Sequence, residues 1–483
     1  MRSSMEEGTT KRASIIGSGP NGLAAAIVLA QAGLHVDVYE AEAEPGGAAR
    51  TLPLTLPGFL HDFGSAVHPL AIGSPFFSSL PLQQFGLEWV HGEAPLAHPL
   101  NDGTAVVLER DLGQAEHELG RDGQAWRALM QPLADTWQQF AEDALAPPLH
   151  VPHHPLRMAQ FGAAAMQPAR MLAQARLNTQ RARALFAGIA GHSFMSFDQP
   201  LSSAIPLVLG AAAHAVGWPV PRSGARAISH ALIGYLESLG GTVHTGRRID
   251  AEGFRELEAA SELVLCDLTP RQLIALAADK LSVDDRIALA EFRLGPGVFK
   301  LDYALSEPAP WRAPACRRAI TLHLGGNFDE IAAAEHDVLH GRTPERPFVL
   351  AVQPTLFDSA RAPQGKHILW AYCHVPNGSP MDMTERMERQ IERFAPGFRD
   401  CVLARHVSTP ETLEAMDANL IGGDISGGAI NLRQFFLRPT RRTYATSHPK
   451  IFLCSSSTPP GPGVHGMCGY HAARLALRRL SNA

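Results

Sequence analysis

The stretch Ala13-Ser14-Ile15-Ile16-Gly17-Ser18-Gly19-Pro20-Asn21-Gly22-Leu23-Ala24-Ala25-Ala26-Ile27-Val28-Leu29-Ala30-Gln31-Ala32-Gly33-Leu34-His35-Val36-Asp37-Val38-Tyr39-Glu40 decides the fold. A short apolar run leads into a glycine-rich turn. A helical run from Leu23 to Gln31 follows, closed by Gly33 as a C-cap, and then an alternating strand, His35 to Glu40. This is a βαβ unit within about 30 residues, at the very start of the chain. Gly17-Ser18-Gly19-Pro20-Asn21-Gly22 fits G-x-G-x-x-G. The first glycine permits the tight turn, the second lets a pyrophosphate approach the backbone, and the third lets helix and strand pack closely. The helix N-terminus then faces the phosphates with its positive dipole end. Glu40, 18 residues after Gly22, is placed to hydrogen-bond a ribose hydroxyl.

A second glycine-rich loop separates FAD from NAD as the expected dinucleotide. Glu44-Pro45-Gly46-Gly47-Ala48-Ala49-Arg50-Thr51 lets backbone pack against another part of a longer cofactor. Arg50 can pair with phosphate or stabilise negative charge on a reduced flavin. An NAD dehydrogenase does not need this extension.

The chain has 483 residues, with 42 Lys and Arg against 47 Asp and Glu, a formal net charge of −5. It is 45% hydrophobic and only 18% charged, which excludes a disordered chain and argues against a nucleic-acid binder. The length suits two or three domains or one large discontinuous fold. Cys266, Cys316, Cys373, Cys401, Cys454 and Cys468 form no C-x-x-C pair, so they read as free thiols in a reducing compartment rather than a disulfide or zinc scaffold. The first twelve residues are polar and carry Glu6 and Glu7, unlike a secretory or mitochondrial leader. Leu201–Trp218 is apolar but interrupted by Pro206 and Gly210, and reads as a buried element, not a membrane span. The expected location is the cytoplasm, peripheral on the inner face of a membrane.

Further along, 112–145 reads as helix, and a helical region resumes after Pro155 to about Ile189. A second regular helix spans Ala225 to Leu239, followed by strands at Thr242 to Thr245 and Glu262 to Cys266. Strand patterns dominate 295–375. The last strand is Ile451 to Cys454 and the last helix runs from about Gly469 to Leu480.

Together these blocks resemble the glutathione-reductase-type FAD superfamily. Within it the chain resembles the phytoene desaturase-like (carotenoid desaturase and isomerase) family, in the branch of pyridine nucleotide-disulfide oxidoreductase domain-containing protein 2. Carrying the likeness are residues 13–51 with HDFGSAVHP (61–69), VLCDLTPRQL (264–273), GPGVFKLDYAL (295–305), RPFVLAVQPTLFD (346–358), WAYCHVPNGS (370–379), IERFAPGF (391–398) and SSSTPPGPGVHGMCGYHAA (455–473). The resemblance implies an α/β fold, a glutathione-reductase-type FAD-binding Rossmann domain joined to a discontinuous substrate domain of mixed sheet and helices. The FAD domain would comprise 10–70, 220–285 and 440–483. The substrate domain would comprise 71–219 and 286–439, with 144–197 a helical cap or membrane-docking segment.

FAD would be held by Gly17, Ser18, Gly19, Pro20, Asn21 and Gly22, and by Glu40 and Ala41. Gly46, Gly47, Arg50, Gly64, Ser65 and Ile249 would add to the site. The resemblance further implies that the loop around Gly461 lies against the flavin ring, adding Ser457, Gly463, Val464, Gly466 and Met467. Gly461-Pro462-Gly463-Val464-His465-Gly466 itself fits G-x-G-x-x-G, but only 17 residues follow it, too few for a second βαβ unit.

With no cysteine before Cys266, the chain lacks the redox pair of a disulfide reductase, and no second complete Rossmann unit stands mid-chain. The expected electron acceptor is oxygen, a quinone or another protein. The expected reaction is desaturation or isomerisation of an apolar isoprenoid or lipid, with hydride transfer to flavin N5. Lys300, inside an apolar strand and on one face with Asp302, is a catalytic candidate or half of a structural pair. His465, in the flavin-side loop, is the other catalytic candidate. His374, His192 and His214 are candidates for the substrate cavity or for satisfied core positions.

No metal site is expected. His150, His153 and His154 cluster without a carboxylate or cysteine at fixed spacing, and read as a solvated loop. From Ala144 to Phe197 there is no Asp or Glu, while Arg157, Arg170, Arg176, Arg181 and Arg183 remain. That pattern suits an anionic membrane surface, or a cap whose arginines face water. An amine-oxidase-like flavoenzyme and a flavin-bearing interaction protein without turnover are the alternatives.

Overall fold

The structure is a computed structural model and describes residues 11–482. Ten of the twelve residues read against a leader lie outside it. Two sheets organise the chain. The first has five strands in the order Ile451–Leu453, Leu263–Cys266, Arg12–Ile16, His35–Tyr39, Thr242–His244, all parallel. Its strands come from three separate parts of the sequence. The helix Pro20–Gln31 is buried from Gly22 to Ala30 because Ala, Leu, Ile and Val occupy every turn. The final helix, Met467–Ser481, packs against it. A Cβ at Gly469 would overlap the Asn21 carbonyl, so glycine is what permits the close crossing.

The second sheet has seven strands in the order Val402–Ser408, Gly297–Leu305, His367–Val375, Val349–Val352, Ala319–Leu324, Ala94–Pro99, Ala105–Leu108. All pairings are antiparallel except Ala319–Leu324 with Ala94–Pro99. The register sets Val298, Lys300 and Asp302 opposite His374, Tyr372 and Trp370. Directly opposed residues share a face, so these six side chains line one side of the sheet. The other side packs Phe299, Leu301, Ala371 and Cys373 into a separate apolar core.

Helices 155–165, 169–176, 180–190 and 204–215 lie between the two sheets' connections. The helix expected over 112–145 is divided. Leu112–Leu119 ends at Gly120, whose φ of +52° turns the chain, and Gly123–Ala134 and Trp137–Ala144 follow. Leu201–Trp218 contains the buried helix Ala204–Ala215. No helix among the described residues is long and apolar enough to cross a membrane.

Candidate active site

At the carboxyl ends of the parallel strands the chain forms a cleft of about 1420 Å³ including its open mouth. This is where ligands bind in open α/β sheets. Its lining includes Gly17, Gly19, Pro20 and Asn21, Glu40 and Ala41, and Pro462, Gly463 and Val464. Gly47, Arg50 and Ile249 line it as well. The helix Pro20–Gln31 begins with Gly19 as an N-cap that offers no side-chain cap, and no acid occupies its first turn. Pro20 has no N–H and the Gly22 N–H is taken by Asp267, so the helix N-terminus faces an anion with its dipole and the Asn21 N–H.

The remaining expected contacts sit behind this lining. Ser18 donates its N–H and Oγ–H to Glu40 Oε2 at 2.9 and 2.6 Å, and accepts the Gly46 N–H at 3.0 Å. The two glycine loops are thus tied through one serine. Gly64 N–H donates to the Ala48 carbonyl at 3.1 Å, and Ser65 Oγ is buried without a partner. Ser457 is buried behind Ser456, which reaches the cleft. Gly466 and Met467 start the last helix, below the cleft. Arg50 is engaged by protein: it donates to the carbonyls of Gly47 and Met416, each at 2.7 Å, and its guanidinium lies over the Phe63 ring at 4.7 Å.

Asp267, absent from the sequence expectations, stands at the centre of the cradle. Its Oδ2 accepts the Gly22 N–H at 2.9 Å, and a Cβ on Gly19 would lie 2.5 Å from it. Burial pushes its carboxyl up to about 7, with the Gly22 N–H opposing and Asp417 and Glu40 adding to the rise. The signal was available only through strand order. Leu263–Cys266 pairs in parallel with Arg12–Ile16, Cys266 beside Ile16, which sets Asp267 beside Gly17. Arg247, Arg248 and Gln272 also line the cleft.

The residues present fit a dinucleotide with a ring system at its far end. The helix N-terminus, the small-residue turn and Glu40 would receive the phosphates and ribose, and the second glycine loop and Gly463-Val464 line the same cleft.

The two catalytic candidates lie elsewhere. His465 is buried outside the cleft lining, and its Nδ1 accepts the Met467 N–H at 3.0 Å. It organises the loop rather than facing a reactant. Lys300 is buried and ion-paired with Asp302, and sits 5.7 Å from the Trp370 ring centroid. Burial lowers the lysine while Asp302 opposes this, and burial raises Asp302 to about 6. His61 Nδ1 stands 3.7 Å from Asp302 Oδ1, and Asp62 pairs with the fully buried Arg361. Trp370 donates its indole N–H to the Asp62 carbonyl at 3.0 Å, which joins the inner face of the second sheet to the 61–68 loop.

His374, His192 and His214 occupy interior positions, each with a ring nitrogen engaged by protein. His374 Nδ1 meets both oxygens of Glu335, His192 Nε2 lies 3.0 Å from His323 Nε2, and His214 Nε2 accepts the Trp126 N–H at 2.9 Å. The histidine cluster does have a carboxylate. Asp143 accepts the N–H groups of His153 and His154 at 2.8 and 2.9 Å, with the rings of His150, His153 and His154 at 3.2–3.3 Å. The expectation of a merely solvated loop gives way to an anchored one. No group that could hold a metal occurs among the described residues. Two of the five arginines of the acid-free segment find acids from outside it: Arg170 pairs with Asp198 and Asp329, and Arg181 with Glu118.

Fold and cleft together put the chain among the dinucleotide-binding oxidoreductases. Residues 15–75 match the NAD(P)-binding Rossmann-like domain. The chain is 25% identical to pyridine nucleotide-disulfide oxidoreductase domain-containing protein 2 of Rattus norvegicus, over 97% of this chain and 93% of that protein. It is 26% identical to the phytoene dehydrogenase of Streptomyces griseus, over 81% of this chain and 77% of the other. Among solved structures, a putrescine oxidase variant superposes with a TM-score of 0.63 at 14% identity, covering 98% and 99% of the two chains. The resemblance read from the sequence is therefore borne out along the chain, and the fold is that of this oxidoreductase class.

Proposed function

We propose that the chain is an FAD-dependent oxidoreductase that desaturates or isomerises an apolar substrate of isoprenoid or lipid character. The observation that carries this reading is the one cleft whose lining joins Gly17, Gly19, Pro20 and Asn21 of the first glycine turn, Gly47 of the second, and Gly463-Val464 of the last. When bound, FAD supplies the two-electron acceptor for a substrate C–H bond. The chain's residues do the rest. The glycine loops and Glu40 orient the dinucleotide. The inner sheet face, with Val298, Leu350, Val352, Trp370 and Tyr372, offers an apolar wall that excludes water. Forming a double bond also releases a proton from the neighbouring carbon. The Lys300–Asp302 pair is buried in this wall, and Asp302, raised to about 6, can hold a proton near neutrality.

Anaerobic mixing of the purified holoprotein with lipid extract tests the proposal. Bleaching of the flavin with one altered lipid is the expected result. Retained FAD that no lipid reduces would favour an interaction protein without turnover. An amine-oxidase-like reaction is the second reading, favoured by the edge-to-face pair Trp370–Tyr372, with centroids 5.2 Å apart at 80°. Oxygen consumption with amines and none with lipids would select it.

A further inference from the structure

The three most exposed of the described large apolar side chains are Leu149 at 68%, Val151 at 90% and Leu156 at 82%. All three fall within eight residues, in a loop that carries Pro147, Pro148 and Pro152 and in the first turn of the helix Pro155–Ala165. Leaving such side chains in water forgoes about 1–2 kcal/mol each relative to burial. The loop is not loosely held. Asp143, with no exposed side-chain surface, takes the backbone N–H groups of His153 and His154 and faces three imidazoles. His150 Nδ1 meets the Pro147 carbonyl at 2.7 Å. An ordered base thus presents an apolar tip.

Arginines flank the tip. Arg157 stands on the helix after the loop, and the sequence has no acid from 144 to 197. His471, on the last helix, donates its Nε2–H to the Leu145 carbonyl at 3.0 Å, and Arg474 and Arg478 follow it on that helix's exposed side. Asp143, buried under the loop, and Glu142, exposed beside it, are the nearest acids in sequence. Of the five arginines of 157–183, Arg170 and Arg181 are already paired with acids and supply no attracting charge, whereas Arg157 donates to the neutral Gln139 Oε1 at 2.7 Å.

We propose that the 147–157 segment is a membrane anchor: Leu149, Val151 and Leu156 enter the interface of an anionic bilayer while Arg157, Arg474 and Arg478 meet its headgroups. Apolar insertion beside a basic rim is the pattern of reversible interfacial binding, with affinity set by apolar area and lipid charge together. The inference concerns a surface remote from the chemistry and stands whatever the substrate is.

Flotation of the full-length protein with phosphatidylcholine vesicles, with and without about a third phosphatidylglycerol, tests it. Wild type is expected to float with the anionic vesicles and weakly with the neutral ones. Leu149→Ser/Val151→Ser/Leu156→Ser is expected to lower the partition coefficient at least tenfold with nearly unchanged thermal unfolding, since these side chains are mostly exposed. Arg474→Glu/Arg478→Glu should abolish the preference for anionic lipid. The indole introduced by Val151→Trp should shift to shorter wavelength with vesicles and be quenched by brominated lipid. Equal flotation of wild type and the triple-serine variant, or no flotation of either, overturns the proposal. So does a dimer that the serine variant converts to monomer without any change in flotation, which would assign the tip to a second copy of the chain.

Discussion

Glu335 holds His374 by both carboxylate oxygens, Oε1 at 2.9 Å and Oε2 at 2.8 Å from Nδ1, with both side chains almost fully buried. The two sit on different elements, the helix Phe328–Leu339 and the strand His367–Val375. The carboxylate fixes the imidazole tautomer with Nδ1 as donor. Nε2 is left buried and unpartnered beside Phe194, whose ring centroid is 4.1 Å from that of His374.

Removing one member of such a pair strands the other. Glu335→Ala should cost about 3 kcal/mol in urea unfolding. The apolar double replacement Glu335→Leu/His374→Phe should cost less than the single change, because neither polar group then stays buried alone. Additive losses in the double-mutant cycle would show that the two do not act as a unit.

Gly19 sets the width of the dinucleotide cradle. Gly19→Ala puts a methyl against Asp267 Oδ2 and should lower flavin occupancy at least tenfold, read from visible absorbance of the purified protein. Gly33→Ala is the control: its φ is +87° but nothing lies within 4 Å of the added Cβ. It should cost about 1 kcal/mol of stability and leave the flavin in place.

Asp267 makes the fold less stable as pH rises. Burial raises its folded value to about 7, above the unfolded value near 3.8. The folded chain therefore binds the extra proton between these values, and the stabilising contribution, complete below about 4, is lost as pH rises through about 7. Asp267→Asn keeps an acceptor for the Gly22 N–H. Unfolding measured from pH 5 to 8 should show the variant gaining ~1–3 kcal/mol on wild type across that range. Parallel curves would mean that Asp267 is not the titrating group.

Asp143 behaves in the opposite sense. The backbone N–H groups of His153 and His154 and the imidazoles outweigh the effect of burial and hold it at about 2. Its contribution is present above about 4 and lost as pH falls through about 2. Asp143→Asn should release the 147–157 loop, seen as faster proteolysis there, and cost about 1–3 kcal/mol above pH 4. Unchanged cleavage of that loop would refute the anchoring role.

The nucleotide cradle was largely legible in the sequence because its parts are local. Strand, turn, helix and second strand follow one another within about 30 residues, and their φ requirements and periodicity act at short range. Glu40, Arg50 and the 461–466 loop were also visible, as motif positions and by resemblance. His465 and Lys300 were legible as residue types but not as roles. Whether a ring nitrogen faces a ligand or the Met467 N–H depends on the path of the backbone around it.

By itself, then, the sequence determined that a dinucleotide-type βαβ unit opens the chain and that acids are missing from 144–197. Only the tertiary structure decided what completes each feature. Asp267 reaches Gly22 across 245 residues because two distant strands pair in parallel register. Glu335 meets His374, and Arg170 meets Asp329, across similar non-local contacts. A slip of one residue in a strand turns every side chain to the other face, so such partners follow from strand order and register rather than from composition or spacing. The same is true of the apolar tip. The exposure of Leu149, Val151 and Leu156 goes with the way Asp143 fastens the loop by the His153 and His154 N–H groups.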